Sequence, residues 1–268
     1  MTTLALCSLK ASPGVTTTAQ ALAEVWPAGR GLLVAELDPA GGDLAARLDR
    51  SPEPGLVTLA AAGRRGVNPE LLLEHTQEIS SFTRLLLAPP SARQARAALD
   101  LVGDDLVDAI SAVDGWDVAM DCGRLDTDSS GLPWLLAADH VLVMLRPTAA
   151  EVAHAAPAVA DLRSEYEHVE LVVLGEPGPG HHHLYPADEV AAAVGAAVAA
   201  VIADDDRAAA VLDGRRRGER MLRRSPLLRT ATALAATLTH TDGSEAPAID
   251  VARDTSPSAE TLLIEGAS

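Results

Sequence analysis

The sequence predicts an α/β fold, a mostly parallel central sheet flanked by helices on both faces, and three observations carry that prediction. Apolar residues make up 48% of the 268 but aromatics only 2%, so the core must be built from Leu, Val and Ala, as in buried parallel strands and the helices that cover them. Short Val/Leu/Ala runs alternate with longer Ala-rich stretches of helical spacing. The chain opens with an apolar strand, a tight loop and a helix start in direct succession, the unit from which such sheets are made.

The elements follow in order. Residues 3–8 form the first strand, and Pro13 and Gly14 turn the chain into a helix over 16–25 that stops at Trp26-Pro27. Gly31–Glu36 is a short buried strand. Residues 44–80 give short helices and loops, with helical pieces at 56–64 and 69–75. Residues 84–90 read as a strand ended by the pair Pro89-Pro90, and 92–113 as one helix with apolar residues at helical spacing. Further strands are expected at 116–122, 138–144, 169–174 and 197–202, with helices at 149–166 and 187–194 between them. Asp204-Asp205-Asp206 is a capping turn into another helix, and Ser225-Pro226 an N-cap and first-turn pair opening a last helix through Leu238. One domain is expected over residues 1–240, followed by a disordered acidic tail, 241–268.

A formal net charge of −17 excludes a protein that coats nucleic acid over its whole surface. One basic concentration stands out, Arg215, Arg216, Arg217 and Arg220 with Arg223, Arg224 and Arg229. It is either a solvated connector or a patch for DNA phosphates. Cys7 and Cys122 sit in apolar strands and read as small buried hydrophobes of a reducing compartment. Neither a signal peptide nor a membrane span is indicated, so a cytoplasmic location is expected. His181-His182-His183 lies in a Pro/Gly loop where three consecutive rings cannot all face one ion, so a metal role there is disfavoured.

The chemistry concentrates at three strand ends. A strand, a phosphate-sized loop and a helix N-terminus make an anion site, because unpaired backbone N–H groups and the positive dipole end face one point. Against the phosphate-loop pattern G-x-x-x-x-G-K-[ST], Gly14 and Thr16 match, Leu9 replaces the first glycine, and Val15 stands in place of the lysine. Lys10 is the only lysine in the chain. After the second strand comes Glu36-Leu37-Asp38-Pro39-Ala40-Gly41-Gly42. Asp38 either belongs to an ordinary turn or holds a Mg²⁺-bound water or the attacking water. The strand 116–122 carries Asp121 at its end, either capping the next turn or touching a Mg²⁺ shell through water.

Together these segments resemble the ParA/MinD family of ATPases. Lys10-Ala11-Ser12-Pro13-Gly14-Val15-Thr16-Thr17 is similar to that family's K-G-G-x-G-K-T-T, with the usual lysine replaced and the signature lysine kept. Asp38-Pro39 matches its D-x-D-P-Q-G segment, with Glu36 at the first aspartate, and Asp121 matches its aspartate, three apolar residues, aspartate strand. The resemblance spans roughly residues 1–240. It implies ATP and Mg²⁺ as cofactors and catalytic roles for Lys10 and Asp38. Ser12, Pro13, Gly14, Val15, Thr16 and Thr17 would cradle the phosphates, and Thr16, Asp38 and Asp121 would serve the metal. It also implies a homodimer, in which the signature lysine crosses to the partner's nucleotide.

The altered loop is most similar to the family's atypical branch, including CpaE/TadZ-type proteins that localise pilus or secretion assemblies. Three functions follow as expectations. The first is a nucleotide-switched dimer, with slow hydrolysis at most, that positions other machinery through an unidentified protein partner. The second is a pseudo-ATPase scaffold that binds a protein partner without nucleotide, and the third a partition ATPase on DNA. Base recognition departs from the family, since Gly175-Glu176-Pro177-Gly178 stands where an asparagine is usual and Ala203 where a proline is.

Overall fold

The structure is a computed structural model that describes residues 1–11, 13–125, 132–178, 180–181 and 183–240. The expected tail, 241–268, lies outside the described residues, as do Ser12 and His182. The chain alternates strands and helices from the start: β1 (Thr3–Ser8), α1 (Val15–Val25), β2 (Gly31–Glu36), then the short helices α2 (Leu44–Arg47), α3 (Leu56–Ala62) and α4 (Pro69–Glu74). A hairpin of β3 (Gln77–Ser80) and β4 (Thr83–Leu86) follows, then α5 (Ala92–Ser111), β5 (Trp116–Arg124), α6 (Leu132–Leu135) and β6 (His140–Leu145). The last part is α7 (Ala149–Glu165), β7 (Val169–Leu174), α8 (Ala187–Val194), β8 (Val198–Ile202), α9 (Asp206–Leu212), α10 (Glu219–Leu222) and α11 (Pro226–His240).

The strands form one sheet in the order β3-β4-β2-β5-β1-β6-β7-β8, parallel throughout except for β3 at the edge. Alternate residues of each strand point to opposite faces. Leu4 and Leu6 of β1 pack with Leu22 of α1, Leu212 of α9 and Leu234 of α11 on one side. Ala5 and Cys7 pack with Leu59 of α3, Leu99 of α5 and Val159 of α7 on the other. Each buried Leu contributes roughly 1.5–3 kcal/mol by leaving water. These two apolar layers therefore hold the strand ends in place. Burial pushes the Cys7 thiol up to about 12, consistent with a packing residue.

Three segments differ from the sequence expectation. The strand expected at 84–90 ends at Leu86 because its ladder is replaced there: the Ala88 amide donates to Glu36 and the Leu87 carbonyl accepts from Leu56. The antiparallel strand β3 falls in the stretch 44–80 for which the sequence predicts short helices and loops; its residues, Gln-Glu-Ile-Ser, are mostly exposed and lack an apolar signal. The helix expected over 92–113 is broken at Gly103, whose φ of 34° and ψ of −128° are not helical. The capping expectations hold. Asp205 accepts from the Ala208 amide at 3.0 Å, and Ser225 Oγ from the Leu228 amide at 3.1 Å.

Candidate functional site

Parallel strands present their carboxyl ends along one edge, where loops of separate segments meet. Because β2 and β5 are neighbours in register, Glu36 lies level with Asp121. The loop after β1 leads there too. Gly14 is the N-cap of α1 in the left-handed region, φ 89°, ψ 32°, a conformation that a residue with a Cβ rarely adopts. Among the described residues no side chain caps α1 and its first turn carries no acid, so its leading amides are available to an anion.

Asp121 is fully buried on β5, where it accepts hydrogen bonds from the Thr16 hydroxyl and, at 3.2 Å, from the Gly123 amide. Burial pushes its carboxyl up to about 6, with the neighbouring Asp38 adding to the rise; the Thr16 and Gly123 bonds and the Arg47 guanidinium only partly offset it. Asp38 sits on the loop after β2, its Oδ1 accepting from the Ala40 amide at 2.7 Å. Burial raises this carboxyl as well, against the Ala40 bond, and Asp43 raises it further. Gly123 makes room for it. A Cβ on Gly123 would lie 2.0 Å from Asp38 Oδ2, and its φ of 61° is again the left-handed region.

Glu36 is the site residue that the sequence motifs understated. It is buried, and its Oε1 accepts from the Asp43 and Leu44 amides, each at 2.8 Å, while Oε2 accepts from Ala88 at 2.9 Å. One carboxylate thus ties the start of α2 and the loop after β4 to the end of β2. Burial raises it to about 7 despite those bonds, with Asp121 contributing. Its place at the first acid of the Glu36-Leu37-Asp38 run was the available signal.

The structure therefore brings Thr16, Asp38 and Asp121 together, with Thr17 on the same first turn of α1 and Pro13 buried in the loop below. Val15 is placed differently. Its side chain is buried in the apolar layer beneath α1, so only its backbone N–H can serve an anion. Lys10 lies in the same loop, exposed, with no ion pair to a described residue. The Arg215, Arg216 and Arg217 side chains are exposed on the segment between α9 and α10, and Arg220 is exposed on α10 itself. His181 and His183 are exposed with rings 6.2 Å apart. Beside the end of β7 a cavity of about 250 Å³ is lined by Gly175, Glu176, His181, Leu184, Ala203 and Thr230, at the positions that depart from the family's base-binding pattern.

The donor set fits a hard divalent cation with a phosphate chain. It is all oxygen, one hydroxyl and two carboxylates, and burial raises both carboxyls, with only partial relief from hydrogen bonds and nearby arginines. Among the described residues no helix is long and apolar enough to cross a membrane.

No family model matches the chain, and no curated protein does. Solved structures do. A ParA family ATPase from Chlorobium tepidum superposes with a TM-score of 0.73 at 17% identity, covering 88% of this chain and 98% of that one. MinD from Pyrococcus horikoshii, complexed with Mg-ADP, gives 0.70 at 14%, covering 90% and 97%. A Cyanothece McdA variant in complex with ATP gives 0.68 at 15%, covering 92% and 98%. At these identities the likeness concerns architecture, and with the sheet order and the loop after β1 it leads to one statement: this chain has the fold of the ParA/MinD ATPases.

Proposed function

We propose that the protein is a nucleotide-switched dimer that binds Mg-ATP at this edge, hydrolyses it slowly at most, and positions a cellular assembly through a protein partner. The observation that carries the reading is the meeting of Thr16, Asp38 and Asp121, from three distant segments, around a helix start with open amides. Bound Mg²⁺ would supply the charge neutralisation on which phosphoryl transfer depends. The Thr16 hydroxyl and the Asp121 carboxylate would hold it, Asp38 would hold its water or orient the attacking one, and the amides around Gly14 to Thr17 would cradle the phosphates. Solved structures of this fold that carry Mg-ADP or ATP support the ligand.

Val15 makes the subunit incomplete by itself. The lysine absent there normally gives a charge-assisted contact worth about 1.5–3 kcal/mol, or about 10- to 100-fold in affinity. Lys10, exposed and without an ion pair to a described residue, would supply a cation to a second copy. Nucleotide affinity is then tied to dimerisation. Isothermal titration of Mg-ATP at rising protein concentration tests this, with tighter binding expected as dimer forms and a loss of that gain in Lys10→Ala. Affinity independent of concentration and unchanged in Lys10→Ala would remove the dimer from the reading. The burial of Val15 favours one other function, a scaffold that keeps the fold without the ligand, and heat of binding absent at every concentration would establish it.

A further inference from the structure

Arg47, which no motif singles out, is the described cation most closely engaged with the first turn of α1. Its Nη1 donates to Thr17 Oγ1 at 3.2 Å and to Gln20 Oε1 at 3.1 Å, both on α1. The same nitrogen lies 2.7 Å from Asp213 Oδ1 at the end of α9, and Nη2 lies 3.5 Å from Asp43. Nη1 carries two protons, and three oxygens surround it. Asp213 Oδ1 is the one left over: it is buried, within ion-pair distance, and has no hydrogen bond.

Asp213 has a second basic partner. Its Oδ2 pairs with Arg215, the first of the exposed arginines. Gly214 allows this crowding, since its φ is 69° and a Cβ there would lie 2.4 Å from the Arg47 carbonyl oxygen. If Arg47 turned away, Asp213 would therefore keep a basic partner through Oδ2. Arg96 and Arg124 also act on the site, but they reach Asp38 from exposed positions, whereas Arg47 is mostly buried and already bonded to the residue beside Thr16.

We propose that Arg47 is the cation that each subunit turns onto the phosphates of its own nucleotide, in place of the lysine missing at position 15, and that it leaves Asp213 to Arg215 when it does so. This rests on the Mg-ATP reading above and adds to it. Lys10 would serve a partner copy only once a dimer has formed, while Arg47 would serve its own subunit at any protein concentration. It also links the site to the arginine segment, because one carboxylate is shared between them.

The test is Mg-ATP titration into the native protein, Arg47→Gln and Asp213→Asn, at protein concentrations below and within the dimer range. Melting curves without nucleotide report folding. The expected result is about tenfold or more weaker binding in Arg47→Gln at both concentrations. Asp213→Asn, which frees Arg47, is expected to bind a few-fold tighter; this arm stands even if Arg47→Gln fails to fold. Lys10→Ala should differ from the native protein only in the dimer range. Arg47→Gln binding within twofold of native, or Asp213→Asn weakened as Arg47→Gln is, overturns the assignment of Arg47 while leaving the nucleotide reading intact. A native protein that binds no Mg-ATP overturns both.

Discussion

Asp117 and Asp121 stand four residues apart on β5, both buried, and they live in opposite electrostatic worlds. At the amino end, Asp117 takes Arg30 on both oxygens, at 2.5 and 2.6 Å, the Trp26 indole N–H at 2.9 Å and the Thr2 amide at 2.7 Å. Burial alone would raise its carboxyl, but these donors outweigh burial and hold it below the ordinary value. At the carboxyl end, Asp121 has one hydroxyl, one long amide bond and a second carboxylate nearby, and it is pushed up to about 6. The difference separates a carboxylate whose burial is offset by donors of the fold from one whose burial is not. A folded chain tolerates the second kind where a ligand completes it.

Removing the satisfied carboxylate has the largest effect. Asp117→Ala strands the Arg30 charge and two further donors, and is expected to lower stability by about 3 kcal/mol, near the low end for a broken buried pair because Arg30 is one-third exposed. Urea unfolding would show it. Above the ordinary carboxylate value Asp117 is fully stabilising, and its contribution falls away as pH drops through its lowered value. Native and Asp117→Ala proteins should therefore converge in acid.

The unsatisfied carboxylate predicts the reverse. Asp121→Asn keeps the shape and the Thr16 contact but removes the buried charge, so the nucleotide-free protein should gain about 2–3 kcal/mol at neutral pH. A raised carboxyl costs nothing below its unfolded value near 3.8 and its full amount once pH passes the folded value near 6, so the advantage should open across that window. Thermal melts in a pH series check this. The same variant should lose any stabilisation by Mg-ATP, and a variant less stable than the native protein at pH 7 would break the comparison.

The smallest effect sharpens it. Gly123→Ala adds a Cβ in the left-handed region, against Asp38, and should cost about 1–2 kcal/mol while displacing that carboxylate. Denaturation paired with Mg-ATP titration separates the two consequences; affinity should fall by more than stability alone explains.

The sheet was legible because parallel strands are continuous apolar runs: Gly31–Glu36 and Val169–Leu174 match residue for residue. β3 was not, since an edge strand of Gln, Glu, Ile and Ser takes its shape from a neighbour, and its own side chains carry little pattern. In the site, Gly14, Thr16, Asp38 and Asp121 could be found because each ends a strand or starts a helix. Arg47 and Asp213 could not. Their meeting depends on how α2 and α9 pack against α1, and no local spacing encodes a contact between residues so far apart in the chain.

The modest strand at the sheet's antiparallel margin constrains how two molecules can associate. β3 is four residues long, mostly exposed, with a glutamate among its side chains, a poor template for a second ladder. At the opposite margin, α11 lies along β8. Neither margin therefore offers a long, flat, apolar edge on which the sheet of another molecule could be continued.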